Sequence, residues 1–326
     1  MKIITLSKNQ YEKLQPLDIP RGVFNTEAKM FKTTIHRQDK VVKSLFYNEG
    51  ETFASKLYTL EMLNKYSEYL PESFVIPDSL LSVRDSIVGF TIPFVEGINL
   101  QTILNDSNLS IQEQLYYLKK IGELLQQLKN IREYSPLKSI YLNDLHESNF
   151  LVNPKKKSIY TIDLDSCKIG NNICFISRFL SPFGLAATAP QKYQVNDGIN
   201  GPGYITPDEN TDLFCYCIMI LNYLKGSNIN NVPNSSIIKH QSNISRSTKE
   251  EIDALPYEER LTLEYYEYLN YLEAIGINKE LLDCFNRLLG NSHNENPVNY
   301  LDSLTDTQVL RSRNNVYTLT KNRVRA

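Results

Sequence analysis

A chain of 326 residues, 41% hydrophobic and 22% charged with 13 Gly and 14 Pro, is long enough for one large domain or two lobes, and its composition excludes collagen, low complexity and general disorder. Its 35 basic against 37 acidic residues leave a net charge of -2, so no global field draws it to nucleic acid or an anionic membrane, and any phosphate-binding charge is local. Cys167, Cys174, Cys215, Cys217 and Cys284 are odd in number, lack zinc-ligand spacing and read as buried thiols of a reducing cytosol.

The opening MKIITLSKNQYEKL carries Lys8 and Glu12 before an apolar core of signal-peptide length can form. The longest apolar run, Leu213 to Leu224, is shorter than the roughly 20 residues of a bilayer span. A cytoplasmic chain without membrane contact is expected. From about Gly22 to Tyr47 the pattern is strand-like, and MFKTTIHRQDKVVKSLFY predicts two strands around a polar turn, His36 to Lys40. ETFASKLYTLEMLNKYSEYL predicts a helix, because Phe53, Leu57, Leu60 and Leu63 recur at intervals of three and four. Three apolar runs broken by Pro77, Arg84 and Pro93 predict further strands, so the first hundred residues are mostly sheet with one helix.

After Gly97 the character turns helical. In LSIQEQLYYLKKIGELLQQLKNI, Ser110 and Glu113 have capping-box spacing, and Leu115, Leu118, Ile121, Leu125 and Leu128 form one stripe. FLV and IYTID predict two strands joined by the turn NPKKKS. About Lys168 to Asp208 there is little periodicity. The run from Leu213 is apolar on all sides and ends at Lys225-Gly226, which predicts a buried central helix. GSNINNVPNSS reads as a loop, and LTLEYYEYLNYLEAIGI and KELLDCFNRLLG as helices. The tail after Leu310 holds Arg311, Arg313, Lys321, Arg323 and Arg325 and reads as a solvated end.

The stretch SIYLNDLHESNFLVNPKKKSIYTIDLDSCKIG, Ser139 to Gly170, places acidic and amide groups among short apolar runs. Phosphoryl transfer needs a group that orients the attacking hydroxyl, oxygen ligands for Mg²⁺ and a cation on the phosphates. In D-L-x-x-x-N, Asp144 can accept the proton of a hydroxyl while the Asn149 oxygen reaches a metal. Asp163 stands 14 positions further (163 − 149), beyond one hairpin, and can hold the same metal. Asp165 competes for that role, and Asp163 is favoured because it ends the apolar strand.

In these residues the chain resembles the protein-kinase-like superfamily, which includes eukaryotic-type Ser/Thr kinases and aminoglycoside-type phosphotransferases, over roughly Gly22 to Leu304. The resemblance implies an α+β, bilobal protein-kinase-like fold. Residues 1–95 would be a small β-rich N-lobe with one helix that binds nucleotide phosphates. Residues 96–326 would be a larger, mainly helical C-lobe with the catalytic loop, metal site and substrate site. NDLHESN is similar to the catalytic loop, making Asp144 the catalytic base and Asn149 a metal ligand; TIDLDS is similar to the D-F-G segment, making Asp163 a metal ligand. KVVKSLF is similar to the V-A-I-K strand and nominates Lys43, a catalytic residue, for the α- and β-phosphates of ATP. Glu61, 18 residues on (61 − 43) and expected on the inward side of its helix, would be its partner. TIPFVEGINL is similar to the hinge, where backbone groups of Phe94, Val95 and Glu96 would bond adenine, and Leu151 is likewise assigned to the nucleotide. Gly22 is the one glycine of RGVFNTEAK, where a phosphate-covering G-x-G-x-x-G would stand. NTDLFCYCIMILNYLKG is similar to the buried helix whose leading aspartate, here Asp212, anchors the catalytic loop. YITPDEN, with Pro207 and Glu209, stands for a shortened A-P-E.

Leu142 and Asn143 replace the histidine and arginine before the catalytic aspartate, which removes the usual receptor for an activation-segment phosphate. His146 stands where Ser/Thr kinases carry lysine and small-molecule phosphotransferases often carry histidine. The implied functions are an ATP- and Mg²⁺-dependent kinase of protein Ser or Thr; the same chemistry on a small hydroxylated acceptor of aminoglycoside or choline type, for which STKEEIDALPYEERLTLEYYEYL supplies an acidic stretch; or a pseudokinase that binds without transfer. The plain alternatives are that Asp144 and Asn149 are turn residues, Lys43 and Glu61 solvated, and Asp212 a helix N-cap.

Overall fold

Turn chemistry decides where the N-terminal sheet reverses. A computed structural model of the chain describes residues 1–17, 27–175, 204–226, 268–289 and 295–321. Gly22, the loop after Gly226, the acidic stretch up to residue 267, Arg323 and Arg325 lie outside the described residues, as does most of the segment of little periodicity. β1 (Lys2–Leu6), α1 (Lys8–Glu12) and β2 (Gln15–Pro16) precede the hairpin of β3 (Ala28–Ile35) and β4 (Gln38–Leu45). His36 and Arg37, with φ of 50° and 64°, form its two-residue turn. Positive φ at both central positions matches the right-handed twist of the strands, so the turn is tighter than the expected His36 to Lys40. Arg84 and Asp85, φ 53° and 64°, repeat the device between β5 (Ser79–Val83) and β6 (Ser86–Pro93).

These strands make one six-stranded sheet in the order β1-β5-β6-β4-β3-β2, with β1 parallel to β5 and the other pairs antiparallel. Helix α2 (Gly50–Lys65) buries Lys56, Thr59, Leu60 and Leu63. Leu60 joins Ala28, Leu45, Val75, Phe90 and Ile92 in the core, against which Val95, Tyr160 and Ile162 also pack.

By contact the chain divides discontinuously into two compact units. The first is Met1–Leu100, Gln127–Leu142 and Glu147–Cys174; the second is Gln101–Gln126, Asn143–His146 and Phe175–Ala326. Besides the large sheet, the first holds a three-stranded sheet in the order β10-β9-β7, from β7 (Ile98–Asn99), β9 (Phe150–Asn153) and β10 (Ser158–Thr161). It also holds the pair β8 (Ile140–Tyr141) and β11 (Lys168–Ile169). β9 and β10 are the expected strands FLV and IYTID.

Helices dominate the described part of the second unit. It holds α3 (Leu100–Leu104) from Gln101 on and α4 (Ile111–Tyr134) as far as Gln126. Ser110 and Glu113 close the expected capping box, the Glu113 N–H donating to Ser110 Oγ at 3.2 Å and the Ser110 N–H to Glu113 Oε2 at 3.1 Å. The stripe from Leu115 to Leu128 is buried. α5 (Glu209–Lys225) starts at the N-cap Asp208, stops at Gly226 in the left-handed region (φ 69°) and is buried nearly all round, as its sequence predicts. Tyr216 and Tyr223 on α5 donate to the Leu118 carbonyl at 2.8 Å and to Gln114 Oε1 at 2.9 Å. α6 (Lys279–Leu289) and α7 (Asp306–Lys321) follow, with residues 268–274 also helical. The Ser312 hydroxyl on α7 donates to the Leu224 carbonyl at 2.7 Å. The described chain is thus α+β, sheet-rich at its N-terminal end and helical later. All five cysteines are buried thiols, and among the described residues no helix is long and apolar enough to cross a membrane.

Candidate functional site

A buried lysine has to be matched by charge, and in the first unit Lys43 is matched twice. It lies on β4 opposite Phe90 of β6 and is 3% exposed. The neighbouring Gly89 makes that approach possible: a Cβ there would stand 2.0 Å from the Lys43 carbonyl oxygen. Lys43 Nζ donates to Asp163 Oδ1 and, at 2.7 Å, to Asp165 Oδ1. Asp165 is wholly buried, and its other oxygen, Oδ2, accepts from Lys56 Nζ of α2 at 2.6 Å. Lys56 also donates to Glu27 Oε2 at 3.0 Å. Lys43, Asp163, Asp165 and Lys56 therefore form one ion-pair chain that reaches Glu27.

The β9–β10 hairpin brings the two expected metal ligands to within one residue of the same cross-strand register. Phe150 pairs with Thr161, and the next pair outward is Asn149 and Ile162, where the Ile162 N–H donates to the Asn149 carbonyl at 2.9 Å. Asp163 follows directly, in the left-handed region (φ 61°, ψ 43°), and opens the short turn Leu164–Ser166. That region is unusual for a residue with a side chain and recurs at functional sites. Asn149 is buried. Asn149 and Asp163 offer amide and carboxylate oxygens, the donors a hard cation takes. Among the described residues no group of three or more His, Cys, Asp or Glu could hold a metal, and the two oxygens are of the kind that a magnesium ion with further ligands from elsewhere accepts.

The two aspartates are electrostatically unequal. Burial pushes the Asp163 carboxyl up to about 6, against the pull of Lys43 and helped by the charge of Asp165; its side chain is still 37% exposed, which tempers that push. Burial acts on Asp165 in the same sense, but the ammoniums of Lys43 and Lys56 outweigh it and hold the carboxyl well below the usual range. Lys43 is pushed down by burial and up more strongly by Asp163 and Asp165, so its ammonium is stabilised.

Glu61 requires a correction. It is exposed, and the inward face of α2 carries Lys56, Thr59, Leu60 and Leu63, so the carboxylates on Lys43 come from Asp163 and Asp165. A signal for Lys56 was available: it precedes Leu60 by four positions and Leu63 by seven, the spacing of one helical face.

Of the hinge groups, the Phe94 N–H donates to the Asp39 carbonyl at 3.0 Å and the Glu96 carbonyl accepts from Asn153 Nδ2 at 3.3 Å. Val95 packs on the core. Leu151 is half-buried on β9 between Asn99 and Tyr160. Gly97 lets the chain pass over it, since a Cβ there would be 2.9 Å from Leu151 Cβ.

In the second unit, Asn143 adopts φ 61°, and its N–H donates to Asp212 Oδ1 at 2.8 Å in a buried bond. The N-cap of α5 is Asp208, whose side chain accepts from the Thr211 N–H, so Asp212 in the first turn is not the cap. It holds the backbone of Asn143. Asp144 follows with its side chain 25% exposed, its Oδ2 lying 3.5 Å from Nε2 of the buried His146. Pro207 precedes the N-cap and Glu209 is the first residue of α5. No family model matches the chain, and no curated protein matches it.

Proposed function

We propose that the chain is an ATP- and Mg²⁺-dependent phosphotransferase of bilobal, protein-kinase-like fold that transfers phosphate to a hydroxyl, with Ser or Thr of a protein as acceptor. The observation that carries this reading is the meeting of buried Lys43 with Asp163, the residue that follows the cross-strand neighbour of Asn149. In this reading Lys43 turns its ammonium to the α- and β-phosphates, and Gly22 belongs to the segment covering them. Val95 and Leu151 lie against the adenine, and Asn149 and Asp163 hold the metal. Bound Mg²⁺ supplies neutralisation of phosphate charge. Asp144, five positions ahead of Asn149 (149 − 144), orients the acceptor hydroxyl and takes its proton as the new oxygen–phosphorus bond forms and the bond to the leaving diphosphate breaks. Asp212 holds the backbone of that loop through Asn143. The rate comes from positioning and electrostatic stabilisation.

A second acceptor class is favoured by one contact. His146, 3.5 Å from Asp144, stands where small-molecule phosphotransferases often carry histidine, and a small hydroxylated molecule then replaces the protein. The test is Mg²⁺-dependent transfer from labelled ATP by the purified chain to a protein mixture and to a panel of aminoglycosides and amino alcohols. Label on protein is expected, with a loss of about 10²–10⁴-fold in Asp144→Ala. Label on a small molecule selects the second acceptor. No transfer to either, with Asp144→Ala unchanged, overturns the enzyme reading, and thermal stabilisation by nucleotide in that case marks a binding module.

A further inference from the structure

The two carboxylates on Lys43 differ in what else holds them. Asp163 is 37% exposed in its side chain, whereas Asp165 is fully enclosed, with Oδ1 on Lys43 at 2.7 Å and Oδ2 on Lys56 at 2.6 Å. Lys56 stands on the buried face of α2, and its second contact is Glu27 at 3.0 Å, next to the start of β3. That face of α2 presents no carboxylate: its buried residues are Lys56, Thr59, Leu60 and Leu63, and Glu61 is exposed. A lysine that is to meet phosphate needs a counter-charge that stays in place when the metal arrives, and an enclosed, doubly bonded carboxylate is such a group.

We propose that Asp165, clamped by Lys56, is the positioning residue that aims Lys43 at the nucleotide, leaving Asp163 to exchange its lysine for the metal. Helix α2 is coupled to the site through a cation, and the carboxylate comes from the turn after β10. The inference rests on the phosphotransferase reading and names how its lysine is held. Lys43 keeps Asp165 throughout, so one of its N–H donors is fixed while the others reach the phosphates. Displacing α2 removes Lys56 and frees the Asp165 carboxylate to turn.

The test uses the full chain and its Lys56→Met, Lys56→Arg, Asp165→Asn, Lys56→Met/Asp165→Asn and Glu61→Gln variants. Transfer kinetics give KM for ATP and kcat, and a fluorescent ATP analogue gives Kd. Expected are increases of about tenfold in KM and Kd for Lys56→Met and for Asp165→Asn, with a smaller fall in kcat. The double variant should be no weaker than Asp165→Asn alone, Lys56→Arg should recover most of the loss, and Glu61→Gln should match the wild type. Lys56→Met replaces the side chain with an apolar one of similar length, and its unfolding midpoint shows whether it is folded. A folded Lys56→Met with unchanged KM and Kd, or a Glu61→Gln variant that reproduces the loss, overturns the inference and leaves the phosphotransferase reading standing. A wild-type chain that neither binds the analogue nor transfers phosphate overturns both.

Discussion

Lys43 Nζ and Asp165 Oδ1 meet at 2.7 Å across 122 positions of sequence, in a bond closed to solvent. Asp165 is the counter-ion of two buried lysines, so its removal leaves both under-compensated rather than merely deleting a contact. Breaking a buried pair by removing one partner typically costs about 3–5 kcal/mol. Asp165→Asn is expected to lower the stability of the chain by that order, read as a lower denaturant midpoint at unchanged slope. A midpoint like that of the wild type would show that the three charges are not coupled as described.

Asp163→Asn should differ in its pH dependence. The folded chain holds the Asp163 proton up to about pH 6, above the ordinary 3.8, so the fold favours the protonated carboxyl. Well below pH 4 folded and unfolded chains both carry the proton and the group contributes no pH dependence; between about 4 and 6 the unfolded chain releases it first, and stability falls as pH rises. Asparagine resembles the protonated side chain at every pH. Its stability relative to the wild type should therefore rise from pH 4 to 7, and a thermal-unfolding series over that range checks the sign. Partial exposure of Asp163 keeps the effect small. Asp165, with its depressed pKa, contributes stability above the ordinary carboxylate range that is lost as pH falls.

What the sequence shows of this site follows from how local each determinant is. The Ser110–Glu113 capping box, the Leu115 to Leu128 stripe and the run of α5 are set by neighbours within a few residues, and the fold keeps them. The β9–β10 hairpin is equally local and places Asn149 beside Ile162, one residue before Asp163. Partner choice on α2 is not local. One residue advances a helix by about 100°, enough to carry Glu61 out while Leu60 stays in the core, and although spacing puts Lys56 on the inward face, its partner Asp165 lies 109 positions away in sequence. β1 is illegible for another reason: it lies at the sheet edge and none of its residues is buried, so its apolar pattern is weak. The Ser7–Gln10 capping box that starts α1 was readable from its S-x-x-Q spacing.

Gly89→Ala tests the backbone setting of Lys43. The added Cβ would meet the Lys43 carbonyl oxygen at 2.0 Å and the Lys43 and Ser44 backbone at 3.0 Å. These atoms belong to paired strands, so the clash is relieved only by parting β4 from β6. Overpacking of this kind costs about 1–3 kcal/mol. The expected result is a lower unfolding midpoint together with faster amide exchange in β4. A variant as stable as the wild type would mean that the strand pair accommodates a methyl group without moving.

Asp212 offers the clearest separation of structure from chemistry in the second unit. Its Oδ1 accepts the buried Asn143 N–H at 2.8 Å; alanine removes the acceptor, and an orphaned buried donor costs about 1–3 kcal/mol. Asparagine keeps a neutral oxygen of the same reach, so Asp212→Asn should lose less than Asp212→Ala. Asn143 sits at φ 61°, a conformation that glycine adopts freely and asparagine tolerates but a β-branched residue resists. Asn143→Val should therefore be destabilising. In the proposed transferase assay Asp212→Ala should reduce kcat more than it raises KM for ATP, because the anchored loop carries Asp144 rather than a nucleotide contact. Equal stability of Asp212→Ala and Asp212→Asn would show that charge, not the hydrogen bond to Asn143, is what α5 supplies there.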